Sequence, residues 1–185
     1  MATAVTTATA PVTQTVSAPQ APTPAKPGKS VNPFSQLGFS ASVASLALPA
    51  ATYSHLARSQ TGILVLTADD SAGLADGWNV VVQTSAFVYS GGASGADIPA
   101  ANLSVTSAET PVMTSGQPVD GTSGPRVPST SPVGTLDTAR KLVQANATFG
   151  QGTYTQSFGV SFTIPAMARA GVYTGTLTTT MSSTP

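Results

Sequence analysis

A chain of 185 residues fits one domain, and only 8% of it is charged, with seven basic residues balanced by seven acidic ones. An ordinary soluble domain is roughly 25% charged, and this inventory cannot assemble a basic patch large enough to track a phosphate backbone, which argues against nucleic acid as a partner. Cys is absent and His55 is the single histidine, which removes thiol nucleophiles, disulfides, iron–sulfur clusters and Cys/His zinc sites.

The chain is filled instead by Ala, Thr, Ser, Gly and Val, with 17 Gly and 15 Pro, a mixture that favours strands and turns over helices. Apolar runs such as Ile63 to Leu66 are far shorter than the roughly 20 residues of a membrane span. Residues 1–30 lack the basic start and apolar core of a secretory signal, so none is expected within this chain.

Residues 1–36 read as an Ala/Thr/Pro-rich extended arm and linker, and 37–185 as the globular domain. Ala18 to Gly28 has the composition of a polyproline-like segment. Ahead of it, Thr3 to Val16 is rich in β-formers, with Val5, Val12 and Val16 as the apolar positions of a strand that needs an open sheet edge. The stiffness of the Pro-rich segment predicts that this strand reaches outward and adds to the sheet of a neighbouring subunit, building a homo-polymer.

From Leu37, Phe39, Ala41 and Val43 alternate with small polar residues, the period of a half-buried strand. Ile63-Leu64-Val65-Leu66 reads as a fully buried central strand, closed by the turn residues Thr67 to Gly73. Another strand follows from Trp78 to Gln83, continuing through Phe87 and Tyr89 to a glycine-rich connection at Gly91 to Gly95; Leu103 and Val105 suggest the next. Thr114 to Gly134 is too rich in Pro, Gly and Ser for regular structure, and only Leu136 to Val143 carries any helical period. The best alternation is C-terminal: Phe158, Val160, Phe162 and Ile164 on one face, then Tyr173, Gly175, Leu177, Thr179 and Met181, read as two adjacent antiparallel strands. These elements predict an all-β fold, a two-sheet antiparallel β-sandwich with an extended N-terminal arm.

Leu64 to Gly73, followed by Asp76-Gly77-Trp78-Asn79-Val80-Val81-Val82-Gln83 and Phe87, resembles a section of the WxL surface-protein family, and Ile98 to Leu103 looks like the segment that follows it there. Lys141 to Ala145, Gly150-Gln151-Gly152-Thr153-Tyr154, Phe162-Thr163-Ile164-Pro165 and Ala170 to Thr178 are similar to the family's C-terminal order. The first tryptophan motif stands as Trp78-Asn79-Val80, with Val in place of Leu, and the second Trp-x-Leu position is occupied by Thr179-Thr180-Met181. The resemblance implies a domain displayed outside bacterial cells and attached non-covalently to the wall, with the paired motifs involved in attachment and peptidoglycan as the partner.

Trp78 follows Gly77 on an alternating strand and reads first as a core aromatic whose indole N–H finds a carbonyl, and second as an exposed wall or glycan contact. Asp69, Asp70 and Asp76 could offer oxygen ligands to calcium, but their spacing matches no EF-hand, and Asp at turns needs no metal. No Gly-x-Ser-x-Gly elbow accompanies His55, and Glu109 is the lone glutamate. Neither a nucleophilic triad nor a spaced carboxylate pair is therefore in prospect. The expected protein is a non-enzymatic structural component of the cell surface or of an extracellular filament, without cofactor, metal or membrane span; a monomeric peptidoglycan-anchoring module and a virion decoration or fibre protein are the alternatives.

Overall fold

The computed structural model describes residues 5–17, 38–73, 75–92, 94–129 and 132–183, and the Pro-rich linker inferred at 18–28 lies outside them. Among the described residues there are thirteen strands: β1 (Val5–Ser17), β2 (Phe39–Val43), β3 (Leu46–Ala47), β4 (Ala51–Thr52), β5 (Arg58–Asp70), β6 (Trp78–Thr84), β7 (Val88–Ser90), β8 (Leu103–Ala108), β9 (Val112–Gly116), β10 (Gly134–Thr135), β11 (Arg140–Ala145), β12 (Gly152–Ile164) and β13 (Gly171–Ser182). The one helical element among the described residues is a short 3-10 turn at Ala100–Asn102, so none is long and apolar enough to cross a membrane. Arg140 to Ala145 is a strand paired with β6, replacing the helical period read nearby.

The strands form two sheets. The first runs β11-β6-β13-β1-β3, with β4 also on β1 and β7 also on β13; the second runs β10-β8-β12-β5-β2, with β9 also on β12. Pairing is antiparallel except where β1 meets the short β3 and β4. Period-2 patterning makes this a sandwich: along β12, Tyr154, Gln156, Phe158, Val160, Phe162 and Ile164 are all buried, and along β13 Tyr173, Leu177, Thr179 and Met181 are.

The two C-terminal strands are not neighbours, as their sequence order suggests. Each is the centre of a different sheet, β12 between β5 and the β8/β9 pair, β13 between β6/β7 and β1. Residues 165–170 carry the chain across instead of folding a hairpin. Both strands need partners on both flanks, and placing them in opposite sheets lets their apolar faces pack against each other's layer, about 10 Å apart. Aromatic contacts join the two layers: Phe87 meets Phe162 at 4.5 Å between ring centroids, and Trp78 meets Tyr154 at 6.2 Å. Gly175 makes room for the first, since a Cβ there would lie 3.0 Å from the Phe87 ring.

Ile63-Leu64-Val65-Leu66 is half-buried rather than enclosed: Leu64 and Leu66 face inward at 1% exposure, while Ile63 is 70% and Val65 39% exposed. A continuous apolar run does not distinguish these cases, and the outer face of this sheet is open to solvent. The threonines have a clear place. Thr174, Thr176 and Thr178 on β13 and Thr7 and Thr9 on β1 stand on the outer face of the first sheet, where hydroxyls do the solvating that charge does in most proteins.

The N-terminal strand departs most from expectation. β1 pairs with β13 of its own chain without interruption from Val5↔Ser182 to Val16↔Gly171. On its other flank it is parallel to β3 at Val12↔Leu46 and to β4 at Val16↔Ala51. Ala8, Ala10, Val12 and Gln14 face the core, and the Gln14 amide donates to the Pro49 carbonyl at 3.0 Å. The side chains of Val5 and Val16 lie outside the description. The strand read as an arm for a neighbour thus fills an interior place in this chain's first sheet, because β13 would otherwise present an unpaired edge. Deleting residues 1–17 is expected to abolish cooperative unfolding, not to release a folded domain. Circular dichroism melts of the truncation check this, and a sharp transition within a few degrees of the full chain's would contradict it.

Candidate functional site

The polar residues singled out in the sequence are scattered. Asp69 and Asp70 are consecutive on β5, one half-buried and outward, the other 1% exposed and inward. Asp69 accepts from the Ser71 backbone N–H at 3.2 Å and the Thr153 hydroxyl at 3.1 Å, the bonding of a turn carboxylate. Among the described residues no group of three His, Asp or Glu side chains is placed to hold a metal. His55 is exposed, with its ring against Tyr53 and its Nδ1 on the Met167 sulfur.

Trp78 is fully buried and therefore has no face to offer a glycan. The first of its two readings describes it. Its indole N–H donates to the Gly150 carbonyl at 2.9 Å. Gly150 has φ +77°, and a Cβ there would lie 2.8 Å from the indole nitrogen and 2.5 Å from the Ala145 Cβ, so only glycine lets this backbone approach the ring. The two motif positions lie side by side: Val80 is in register with Met181, and Val82 with Thr179, on the paired strands β6 and β13. All four side chains face the core. Thr179, at the position read as the second motif's tryptophan, is buried with no hydrogen-bond partner for its hydroxyl.

What Trp78 holds is a loop end. The segment 146–151 is fastened at several points: Asn146 N–H to Ser123 O at 2.7 Å, Thr148 N–H to Ala75 O at 2.8 Å, and Gly150 O to the indole. Gln117 lies alongside, its backbone N–H donating to Gln151 O at 2.8 Å, its amide nitrogen to Thr148 O at 3.2 Å, and its amide oxygen accepting from Gln151 N–H at 3.1 Å. Below them the Tyr154 hydroxyl is shared between the carbonyls of Gln117 at 2.8 Å and Gln151 at 3.1 Å. Burial, and then the nearby Asp70 carboxylate, raise the Tyr154 phenol above its ordinary value, which keeps it a donor.

Over this base opens a cleft of about 300 Å³ lined by Gln117, Pro118, Val119, Asp120, Thr148 and Phe149. Thr148 has φ +71°, a conformation costly for a residue with a branched Cβ, and such strain concentrates at functional surfaces. Backbone N–H groups of Ser123 and then Thr122 bond Asp120 Oδ1, at 2.6 and 2.8 Å, and hold its carboxyl below the usual carboxylate range. The cleft thus joins a half-buried aromatic ring, apolar surface and an ionised carboxylate on a backbone fixed from beneath.

Sequence reasoning placed the indole in the core with a carbonyl partner and missed the cleft. Four of its six lining residues come from Thr114 to Gly134, a segment legible only as irregular. The available signal was Phe149, an aromatic outside any alternating run and flanked by Gly150.

Two substitutions probe this arrangement. Trp78→Phe removes the donor and leaves a buried carbonyl unpaired, which should destabilise the fold by about 1–3 kcal/mol in addition to the packing loss. Thr179→Val removes a buried hydroxyl that bonds to nothing and should raise stability by about 1 kcal/mol. Urea unfolding measures both, and a destabilised Thr179→Val would mean that its hydroxyl has a partner.

No curated protein matches the chain significantly. The sequence model of one family, described as "WxL domain surface cell wall-binding", matches residues 2–185. That span takes in β1 as well as both motif positions. The chain belongs to the WxL family of cell-wall-binding surface domains.

Proposed function

We propose that this chain is a non-catalytic, extracellular module that holds to peptidoglycan through the end of the sandwich closed over Trp78. The family match across residues 2–185 supports the wall as the partner class. The observation that carries the choice of surface is the indole bond to Gly150: the first motif's tryptophan is internal, so its contribution to attachment has to be indirect, through the loop it shapes.

The remaining surface suits this role. The exposed threonines of β1 and β13 form a neutral face that neither repels nor collects the charged polymers of a wall. Assembly through exchange of the N-terminal strand is not part of this reading, because β1 finds its sheet partners in its own chain.

Cosedimentation with purified cell walls tests the proposal. The full chain is expected to pellet with walls in a saturable manner, and light scattering of the free protein should give one species of the chain's own mass. Protein that stays in the supernatant at every wall concentration would defeat the reading, and fibres of constant width in concentrated samples would favour the filament alternative.

A further inference from the structure

We propose that the cleft of Gln117, Pro118, Val119, Asp120, Thr148 and Phe149 is a glycan subsite, and that it takes an uncharged N-acetylated amino sugar in preference to an anionic wall polymer. This deepens the wall-binding reading and rests on it. At about 300 Å³ the cleft is at the small end of ligand sites, the scale of one sugar ring rather than a folded peptide.

The lining specifies the ligand's chemistry. Phe149 is only half-buried and lies outside the packed core, so ring surface remains at the cleft. An aromatic face of this kind packs against the C–H face of a pyranose. Pro118 and Val119 add apolar surface of the size of an acetyl methyl group. Asp120 supplies the polar contact. Its Oδ1 is occupied by the two turn N–H groups, which leaves Oδ2 to a ligand. An ionised carboxylate only accepts, so the ligand has to donate: a sugar hydroxyl or an acetamido N–H satisfies it, whereas a phosphodiester has no proton to give.

Charge decides between the two kinds of wall polymer. Among the described residues no Lys or Arg lines the cleft, and a phosphate a few ångströms from the Asp120 carboxylate would be repelled by a charge of its own sign. The amino-sugar strand suffers no such penalty. The site is also built in advance. Gln117, Tyr154 and Trp78 fix the backbone on both sides, so little ordering remains for binding to drive.

The experiment uses the full chain with a soluble tetramer of N-acetylglucosamine and with purified walls stripped of anionic polymer. In amide NMR spectra the tetramer is expected to shift residues 117–120 and 148–149. Phe149→Ala should weaken binding by about tenfold, the scale of one lost anchor contact. Asp120→Asn, which keeps the Oδ1 acceptor for the turn, should weaken it by about threefold with no change in melting temperature. Stripped walls should retain the protein as well as native walls do.

Shifts confined to other surfaces, or unaltered binding by both variants, would overturn the subsite and leave the wall-binding reading in place. Retention on native walls combined with loss from stripped walls would also reject it, because the partner would then be the anionic polymer. If the unsubstituted chain bound neither tetramer nor walls, the subsite and the broader reading would fall together.

Discussion

A single buried hydrogen bond, from the Trp78 indole to the Gly150 carbonyl, connects the interior of this sandwich to the surface proposed for binding. Inside, the ring meets Tyr154 of the opposite sheet and so helps set the spacing of the layers. Outside, the carbonyl it binds belongs to a loop whose neighbouring residue, Phe149, stands at a cleft. Both partners are constrained. The approach requires glycine at 150, where the backbone is left-handed, and it requires a side chain long enough to present a donor from within the core. Tryptophan meets the second condition while filling a large core volume. A buried motif residue in this way shapes a surface loop from within the core.

The second motif position makes the same point by its loss. Thr179 and Met181 occupy places beside Val82 and Val80 on the paired strands, all directed into the core. The Thr179 hydroxyl is left unbonded in the core, yet the strand register from Leu177 to Ser182 is continuous. Dense pairing of β13 on both flanks explains that tolerance. The strand is held by β1 along one edge and by β6 and β7 along the other, so one inward side chain does not decide its position.

Much of the fold was legible in the sequence because period-2 patterning reports directly on which side chains face inward. Phe158 to Ile164 and Tyr173 to Met181 have the facing expected of them. Pairing was less legible. Nothing in the alternation of β12 and β13 distinguishes a hairpin from two strands in opposite sheets, since both present one apolar face. The N-terminal strand was recognised by its β-formers, but its partner was assigned to another chain. Linker composition speaks to stiffness, whereas the pairing of β1 depends on the open flank of β13, which emerges only once both sheets are built. At the candidate site, Trp78 was readable from its position on an alternating strand. Pro118, Val119 and Asp120 were not, because they carry no periodicity and converge with Thr148 and Phe149 through loop packing alone.

Because Trp78 is the one tryptophan in the chain, its indole N–H gives a single proton resonance free of overlap. Hydrogen exchange at that proton reports directly on the bond to Gly150. If the bond ties core to loop, the proton should exchange only through global unfolding, with a protection free energy equal to that of the most protected amides of β12 and β13. Exchange within seconds in a fully folded sample, while those strand amides remain protected, would show that the loop opens independently of the core and would contradict the account.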